Sequence, residues 1–252
     1  MVRSSKLRTP KPGTPKSGSG VIASPNIWHW PEVYEEENRA QDPRGAVYAA
    51  LREAADWTGR DVVDVGCGSG FHLPMFAADA RTVTGIEPHP PLVAAARIRV
   101  DGLPSVTVTE GSAADIPLPD ASVDLVHART AYFFGPGCGA GILEAMRVLR
   151  PGGALAVVDL DATAHPYGDW MCDDLPHYDP ATVEAFFEAQ GFDLRRIDTL
   201  WEFPDRATLE RVLGIEFAPR VAARAIRETP GTTLTVRYRL HVRRRPAGLE
   251  LS

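Results

Sequence analysis

Residues 61–70 read Asp-Val-Val-Asp-Val-Gly-Cys-Gly-Ser-Gly. The first five residues are mostly β-branched and run straight into glycines, as expected for a short strand buried in a parallel sheet. Gly66, Gly68 and Gly70 let the backbone turn tightly and approach a ligand without an obstructing Cβ. In open α/β sheets, ligands bind beyond the carboxyl ends of the strands. We therefore expect a ligand at this turn.

Predicted strands and helices alternate on the carboxyl side of this stretch. Strands are predicted at 81–86, 105–109, 123–127 and 154–160, with helices at 71–79, 91–100 and about 142–149. Further helices are predicted at 180–190, 206–213 and 219–227, and further strands at 192–200 and 232–242. The alternation predicts an α/β fold with a doubly wound parallel sheet and helices on both faces.

Arginines lie at alternate positions of the last predicted strand, at Arg237 and Arg239, and three more follow at 243–245. The alternate spacing indicates the wet face of an edge strand. A nucleic-acid-binding patch is the competing interpretation. The net charge of -6 argues against nucleic acid as the main partner.

The N-terminal segment differs in composition from the rest of the chain. Residues 1–25 are rich in Pro, Ser and Gly and lack periodic apolar residues, which predicts a disordered tail. This tail is basic and contains no acid, so the remaining residues are more acidic than the whole chain. The length suffices for one sizeable α/β core, and we expect residues 26–252 to form a single domain.

Several classes of protein are disfavoured by what the sequence lacks. No run approaches the roughly 20 apolar residues that span a bilayer, so we expect no membrane partner. Cys67, Cys138 and Cys172 are odd in number and far apart, which fits a reducing cytoplasm. No histidines show the paired spacing of a metal site, and we predict no metal.

Two classes of cofactor use a glycine-rich turn after the first strand. The dinucleotide fingerprint Gly-x-Gly-x-x-Gly would need a glycine at position 71, which is Phe71. The observed Gly-x-Gly-x-Gly follows Asp64, whose carboxylate can hold an ammonium directly or through water. Glu87 closes the next strand and can accept hydrogen bonds from a ribose diol, a role that nicotinamide and adenosyl cofactors share.

Four segments, taken in order, resemble the class I S-adenosylmethionine-dependent methyltransferases: 62–70, 85–88, 111–120 and the Val-Leu-Arg-Pro-Gly-Gly of 148–153. The resemblance covers about residues 45–160. It implies a Rossmann-like seven-stranded sheet with an antiparallel last strand, and helices on both faces. It also implies that S-adenosyl-L-methionine lies across the ends of the first, second and fourth strands, with S-adenosyl-L-homocysteine as the product.

The same resemblance assigns residues to parts of the donor. The glycine turn would face the methionine end, Glu87 the ribose and Asp115 the adenine amino group, with Pro88 and Ile116 on either side of the purine. The predicted donor-binding residues are Asp64, Gly66, Cys67, Gly68, Glu87, Pro88, Ala114, Asp115, Ile116, His127, Arg129 and Tyr34.

An aromatic stretch precedes the predicted sheet and contains Trp28, His29, Trp30 and Tyr34. In relatives an N-terminal helix folds over the donor, so residues 26–57 are expected to act as a lid. The alternative is that Trp28 and Trp30 only pack against the flank of the sheet.

The acceptor is expected beyond the fourth strand. Tyr132, Phe133 and Phe134 precede a Gly-Pro-Gly loop and suggest an apolar, flat acceptor, although core packing would also explain them. Asp159, Asp161 and His165 would bind or deprotonate an acceptor, or else be solvated loop groups. The candidate catalytic residues are Tyr132, Asp161, His165 and His29, and the candidate acceptor-binding residues are Trp30, Tyr132, Phe133 and Phe134.

These residues predict a methyltransferase that acts on a small molecule by aligning the reacting atoms. Two alternatives stay open. One is a protein or RNA methyltransferase that docks through the basic tail, and the other is a donor-binding protein without turnover that serves as a partner. The sequence gives no indication of the oligomeric state.

Overall fold

The computed structural model describes residues 24–247 of the chain. Its strands are β1 (Asp61–Val65), β2 (Thr82–Glu87), β3 (Val106–Glu110), β4 (Val123–Arg129), β5 (Leu149–Leu160), β6 (Asp193–Glu202) and β7 (Thr233–Arg244). They form one sheet in the order β3-β2-β1-β4-β5-β7-β6. The predicted seven-stranded sheet with an antiparallel last strand is confirmed, because only β7 runs against its neighbours β5 and β6 among these pairings.

Ten helices are described in this part of the chain. They are α1 (Pro25–His29), α2 (Pro31–Ala40), α3 (Ala46–Ala54), α4 (Leu73–Ala77), α5 (Pro90–Arg99), α6 (Gly139–Val148), α7 (Tyr167–Asp174), α8 (Pro180–Ala189), α9 (Arg206–Glu216) and α10 (Pro219–Glu228). The sequence did not predict α7, which follows β5 without a clear apolar period.

The strand order fixes where a ligand can enter. β1 pairs in parallel with β2 on one side and β4 on the other, so the chain changes direction across the sheet at β1. The loops after β1 and β4 therefore diverge and leave a crevice at their carboxyl ends.

Two apolar layers cover the faces of the sheet. Along β1, Val62 packs with the layer of α3, α4 and α5, and Val63 with the layer of α6 and α8. All five residues of β1 are buried, which is typical of a central parallel strand covered on both faces. The crevice therefore lies at the carboxyl end of a rigid central strand.

The edge-strand interpretation of the last strand was wrong. β7 lies between β5 and β6, and Arg239 is fully buried. Arg237 is half-buried and donates from Nε to Asp198 Oδ1 on β6 at 2.6 Å. The reason is that β6 returns alongside β7 and becomes the edge itself, so one arginine of the alternating pair faces the interior.

The predicted tail at 1–25 lies outside the described residues except for Ser24 and Pro25, and Pro25 is the first residue of α1. Within 24–247, no helix has both the length and the apolar character needed to cross a bilayer. No group of three or more His, Cys, Asp or Glu side chains suited to a metal ion occurs in the same range.

Candidate functional site

A cavity of about 500 Å³ lies at the carboxyl ends of β1, β2, β4 and β5. This volume falls within the usual range of small-molecule sites. Its wall combines the glycine turn after β1, the end of β2, the loop after β4 and parts of α1, α2 and α7. The crevice expected from the strand order is therefore present, and the N-terminal helices form part of its wall.

The turn after β1 requires glycine for two separate reasons. Gly66, Gly68 and Gly70 have φ angles of +73°, +56° and +78°, in the left-handed region that other residues rarely adopt. A Cβ on Gly66 would lie 2.5 Å from the Cβ of Ala131, closer than real contacts allow. The turn is thus packed tightly against its neighbours, and its backbone faces the cavity.

Glu87 lies at the end of β2 and is buried, with its carboxylate on the cavity wall. Gly68 N donates to its Oε2 at 3.0 Å, and His89 N donates to its Oε1 at 2.9 Å. Burial raises the pKa of Glu87, and these two N–H donors oppose the rise. Each oxygen keeps acceptor capacity, so the carboxylate fits the two hydroxyl groups of a ribose.

Asp64 of β1 and His127 of β4 are neighbours in the sheet and form a buried pair. His127 Nδ1 lies 2.7 Å from Asp64 Oδ1. Asp64 Oδ2 is buried and has no hydrogen-bond partner among residues 24–247. Neither side chain is part of the cavity wall. The predicted contacts of both with the methionine end stay predictions.

His72, just before α4, lies on the cavity wall beside the glycine turn. Burial lowers the pKa of His72 well below its usual value, and the nearby Arg129 and His127 add to this effect. Its Nδ1 forms a hydrogen bond with the Tyr48 hydroxyl. His72 is therefore neutral and adds no positive charge near the turn.

Arg129, at the end of β4, is a buried cation on the cavity wall. Its Nη2 donates to Gln41 Oε1 at 2.9 Å, and its guanidinium lies 4.8 Å from the centre of the Tyr238 ring. Its Nε has no partner among the described residues. A buried cation whose contacts are an amide and aromatic rings fits a carboxylate supplied by a ligand.

The segment after β3 is only partly on the cavity wall. Gly111, Ser112 and Ala113 line the cavity together with Pro88. The predicted Ala114, Asp115 and Ile116 follow directly but are not part of the wall, and Ile116 N donates to Glu144 Oε2 at 3.0 Å. Their roles toward adenine stay predictions.

Some residues of the N-terminal aromatic stretch lie on the cavity wall, and others do not. Trp28 lines the cavity and stacks on His89 with 4.4 Å between ring centroids, and Tyr34 lines it from α2. Trp30 is half-buried and His29 exposed, and neither is on the wall. The sequence missed five further wall residues in or just before this segment, Ser24, Pro25, Asn26, Ile27 and Asn38, because only the aromatic residues give a signal there.

Of the residues predicted to bind or activate the acceptor, only some lie on the cavity wall. Tyr132 and Phe134 line the cavity, whereas Phe133 is buried in the apolar layer beneath it. Asp161 is buried away from the wall and accepts hydrogen bonds from Thr163 and Arg196. His165 is exposed and pairs with Asp169. Of the three polar candidates Asp159, Asp161 and His165, Asp159 lies on the cavity wall, together with Met171, Leu175 and Tyr178, which the sequence did not indicate.

Part of the chain is similar to known proteins. The model of the methyltransferase domain family matches residues 63–157. A probable S-adenosylmethionine-dependent methyltransferase of Mycolicibacterium smegmatis is 39% identical over 122 residues, which cover 48% of this chain and 46% of that protein. The chain spans about half the length of the curated relatives it matches.

Solved structures agree with the fold. The YcgJ protein of Bacillus subtilis superposes with a TM-score of 0.58 at 16% identity, covering 79% of this chain and 98% of that one. The cyclase SpnF gives a TM-score of 0.56 at 23% identity, covering 80% of this chain and 81% of that one. At these identities the likeness establishes the fold and nothing further.

Proposed function

Because the chain contains a class I, S-adenosylmethionine-dependent methyltransferase domain, we propose that it transfers a methyl group from S-adenosyl-L-methionine to a small-molecule acceptor. One observation carries the proposal. A single cavity joins the glycine turn and Glu87 to aromatic side chains that follow β4. Groups suited to the donor and groups suited to an apolar acceptor therefore line the same space.

The residues present fit the donor. Bound S-adenosylmethionine supplies a methyl group on a positively charged sulfur. Glu87 would accept from the ribose hydroxyls. Arg129, which lies on the cavity wall, would bind the carboxylate. These two charged groups would thus fix the orientation of the donor along the cavity.

Catalysis in this proposal comes mainly from alignment and exclusion of water. Holding nucleophile, methyl carbon and sulfur in line contributes much of the acceleration of such a displacement. Trp28 and Ile27 of α1, together with Tyr34 of α2, would cover the donor. We propose this part of α1 and α2 as the lid.

The cysteines support a reducing compartment such as the cytoplasm as the place of this reaction. Cys67, Cys138 and Cys172 are free thiols, and Cys67 lies in the glycine turn itself. Burial raises the pKa of Cys67 well above its usual value, so its thiol stays protonated beside the donor site.

A second candidate function is donor binding without methyl transfer. SpnF, a cyclase by name, shares this fold, so the fold by itself does not require methyl transfer. A protein of this kind would bind S-adenosylhomocysteine and produce no methylated product.

The proposal is tested with S-adenosylmethionine carrying a labelled methyl group. The protein is incubated with small aromatic alcohols, amines and thiols, and separately with total protein and total RNA. We expect label in a small-molecule fraction. Label found only in protein or RNA would contradict the small-molecule acceptor, and donor binding without any labelled product would favour the second candidate.

Deletion of residues 1–23 separates the two kinds of acceptor independently. A small-molecule enzyme is expected to keep its kcat/KM, because all the wall residues that the structure describes lie at Ser24 or beyond it. A macromolecule methyltransferase that docks through the basic tail would lose kcat/KM steeply.

A further inference from the structure

The cavity wall beyond β4 contains two polar side chains that the donor does not need. Asp159, near the end of β5, is 6% exposed, and Tyr178 lies between α7 and α8. The apolar side chains in this part of the wall are Tyr132, Phe134, Met171 and Leu175. β5 is separated from β1 by β4, so this region lies on the far side of β4 from the glycine turn.

One buried guanidinium holds both polar groups. Arg239 of β7 is opposite Asp159 in the sheet and is fully buried. Its Nη2 lies 3.3 Å from Asp159 Oδ2 and donates to the Tyr178 hydroxyl at 2.5 Å. Asp159 Oδ1 accepts from Leu160 N at 2.8 Å. Asp159 and Tyr178 are therefore fixed next to each other.

Tyr178 and Asp159 each keep hydrogen-bonding capacity that no described residue uses. The Tyr178 oxygen accepts from Arg239, so its own hydrogen is free, and no acceptor for that hydrogen occurs among the described residues. The Asp159 carboxylate keeps lone pairs beyond its two bonds. The wall thus offers one donor and one acceptor side by side on an apolar surface.

Asp159 is also suited to receive a proton. Burial raises the pKa of Asp159 to about 6, although Arg239 and Leu160 N oppose the rise. The carboxylate is therefore charged at neutral pH, and it is more basic than an ordinary aspartate.

We propose that Asp159 and Tyr178 bind a hydroxyl group on a flat, apolar acceptor of the phenol or enol class, and that Asp159 takes its proton. The inference rests on the proposed function. Tyr178 donates to the hydroxyl oxygen, and that hydroxyl donates to Asp159. When the oxygen bonds to the methyl carbon, the carbon–sulfur bond breaks with its electron pair left on sulfur, and the proton moves to Asp159.

The same pair of groups disfavours other acceptors. A protonated amine has no lone pair to accept from Tyr178, and a carboxylate would be repelled by Asp159. A neutral hydroxyl satisfies both groups at once and leaves neither of them buried without a partner.

The test compares 2-naphthol with 2-methoxynaphthalene, which has a similar shape but no hydrogen to donate. Each is titrated calorimetrically into protein saturated with S-adenosylhomocysteine. We expect wild-type protein to bind 2-naphthol about tenfold more tightly or better, as for one hydrogen bond to a charged group. Asp159→Asn should remove most of this preference, and Tyr178→Phe a smaller part.

Asp198→Asn is the matched control, because Asp198 is an exposed aspartate of β6 that pairs with Arg237. It should keep the full preference. All three variants should bind S-adenosylhomocysteine as wild type does, which also shows that they fold. If one cavity variant fails to fold, the other variant still tests the inference, together with the binding of the two probes by wild-type protein.

Three results would overturn the inference: equal binding of the two probes, a preference that survives both cavity variants, or no binding of 2-naphthol by protein that binds S-adenosylhomocysteine. If the wild-type protein does not bind S-adenosylhomocysteine at all, the proposed function fails instead.

Discussion

A Cβ atom placed on Gly66 would lie 2.5 Å from the Cβ of Ala131. Gly66 opens the turn after β1 and Ala131 belongs to the loop after β4, so this contact joins the two loops where the strand order diverges. Real Cβ atoms essentially never approach so closely. The two sides of the donor site are therefore packed as closely as glycine allows.

Gly66→Ala should lower stability and weaken donor binding more than Gly59→Ala. Both glycines have positive φ, +73° and +67°, so both alanines cost about 1–2 kcal/mol of backbone strain. A Cβ on Gly59 meets nothing within 4 Å, whereas Gly66 also has the overlap with Ala131. Thermal melting and titration with S-adenosylhomocysteine measure the difference. Equal losses in both variants would show that the contact with Ala131 is unimportant.

Glu87→Gln should weaken binding of S-adenosylhomocysteine by about 10- to 100-fold, since a hydrogen bond to a charged group contributes about 1.5–3 kcal/mol. Glu110→Gln is the control, because Glu110 is the exposed neighbour of Glu87 in the sheet and lies off the cavity wall. Calorimetry should show no change for that control. An unchanged affinity of the Glu87 variant would remove the ribose assignment.

Arg129→Met should reduce the discrimination between S-adenosylhomocysteine and 5′-methylthioadenosine, which lacks the amino-acid end. Arg129 is a buried cation on the cavity wall, so the carboxylate of the ligand is expected to pair with it. We expect the preference for S-adenosylhomocysteine to fall about tenfold or more, with the affinity for 5′-methylthioadenosine little changed. Arg237→Gln, on the sheet but off the cavity wall, is the control.

If Arg129→Met lowered the affinity for both ligands equally, a specific contact with the carboxylate would be contradicted. It would point instead to a general loss of shape at the end of β4, where Arg129 also packs against Tyr238 and Tyr48.

A pair of neighbouring acids, Glu37, which is buried, and Glu216, which is half-buried, predicts a pH dependence of stability. Burial and the neighbouring Glu216 raise the pKa of Glu37 of α2 well above its usual value, and burial raises that of Glu216 of α9. Tyr167 and Asn26 donate to Glu216, Gln41 donates to Glu37, and the charge of Arg129 favours the ionised form of Glu37.

The folded protein therefore binds a proton at this pair that the unfolded chain releases at lower pH. Stability from this pair is complete below the ordinary glutamate pKa and is lost as pH rises through the raised values, by about 1.4 kcal/mol per pH unit for one proton. Chemical denaturation should show wild type losing stability relative to Glu37→Gln as pH rises from about 4.5. A difference that is constant with pH would contradict the shared proton.

The sheet and the glycine turn were predictable because their signals are local. The β-branched run of 61–65 and the glycines after it specify a buried strand and a left-handed turn within ten residues. Glu87 was predictable for the same reason, since it closes a neighbouring strand. Its hydrogen bonds to Gly68 N and His89 N were not, because they depend on how the two loops pack.

The acceptor side could not be predicted in the same way. Arg239 looked exposed because alternation shows which residues share a face, but not which face another strand and helix will cover. Tyr178 has no motif around it, and it reaches the wall from the segment that links α7, which packs on β7, to α8, which packs on β6. Asp161 and Asp159 are indistinguishable in sequence. The sheet places Asp159 on the cavity wall and Asp161 beside Arg196.

The central claim is that the cavity at the glycine turn binds an adenosyl donor with an amino-acid end. Calorimetric titration of the full chain with S-adenosylhomocysteine and, separately, with NAD tests it most directly. We expect saturable binding of S-adenosylhomocysteine at one site per chain and no binding of NAD under the same conditions. Binding of NAD alone, or of neither ligand, would contradict it.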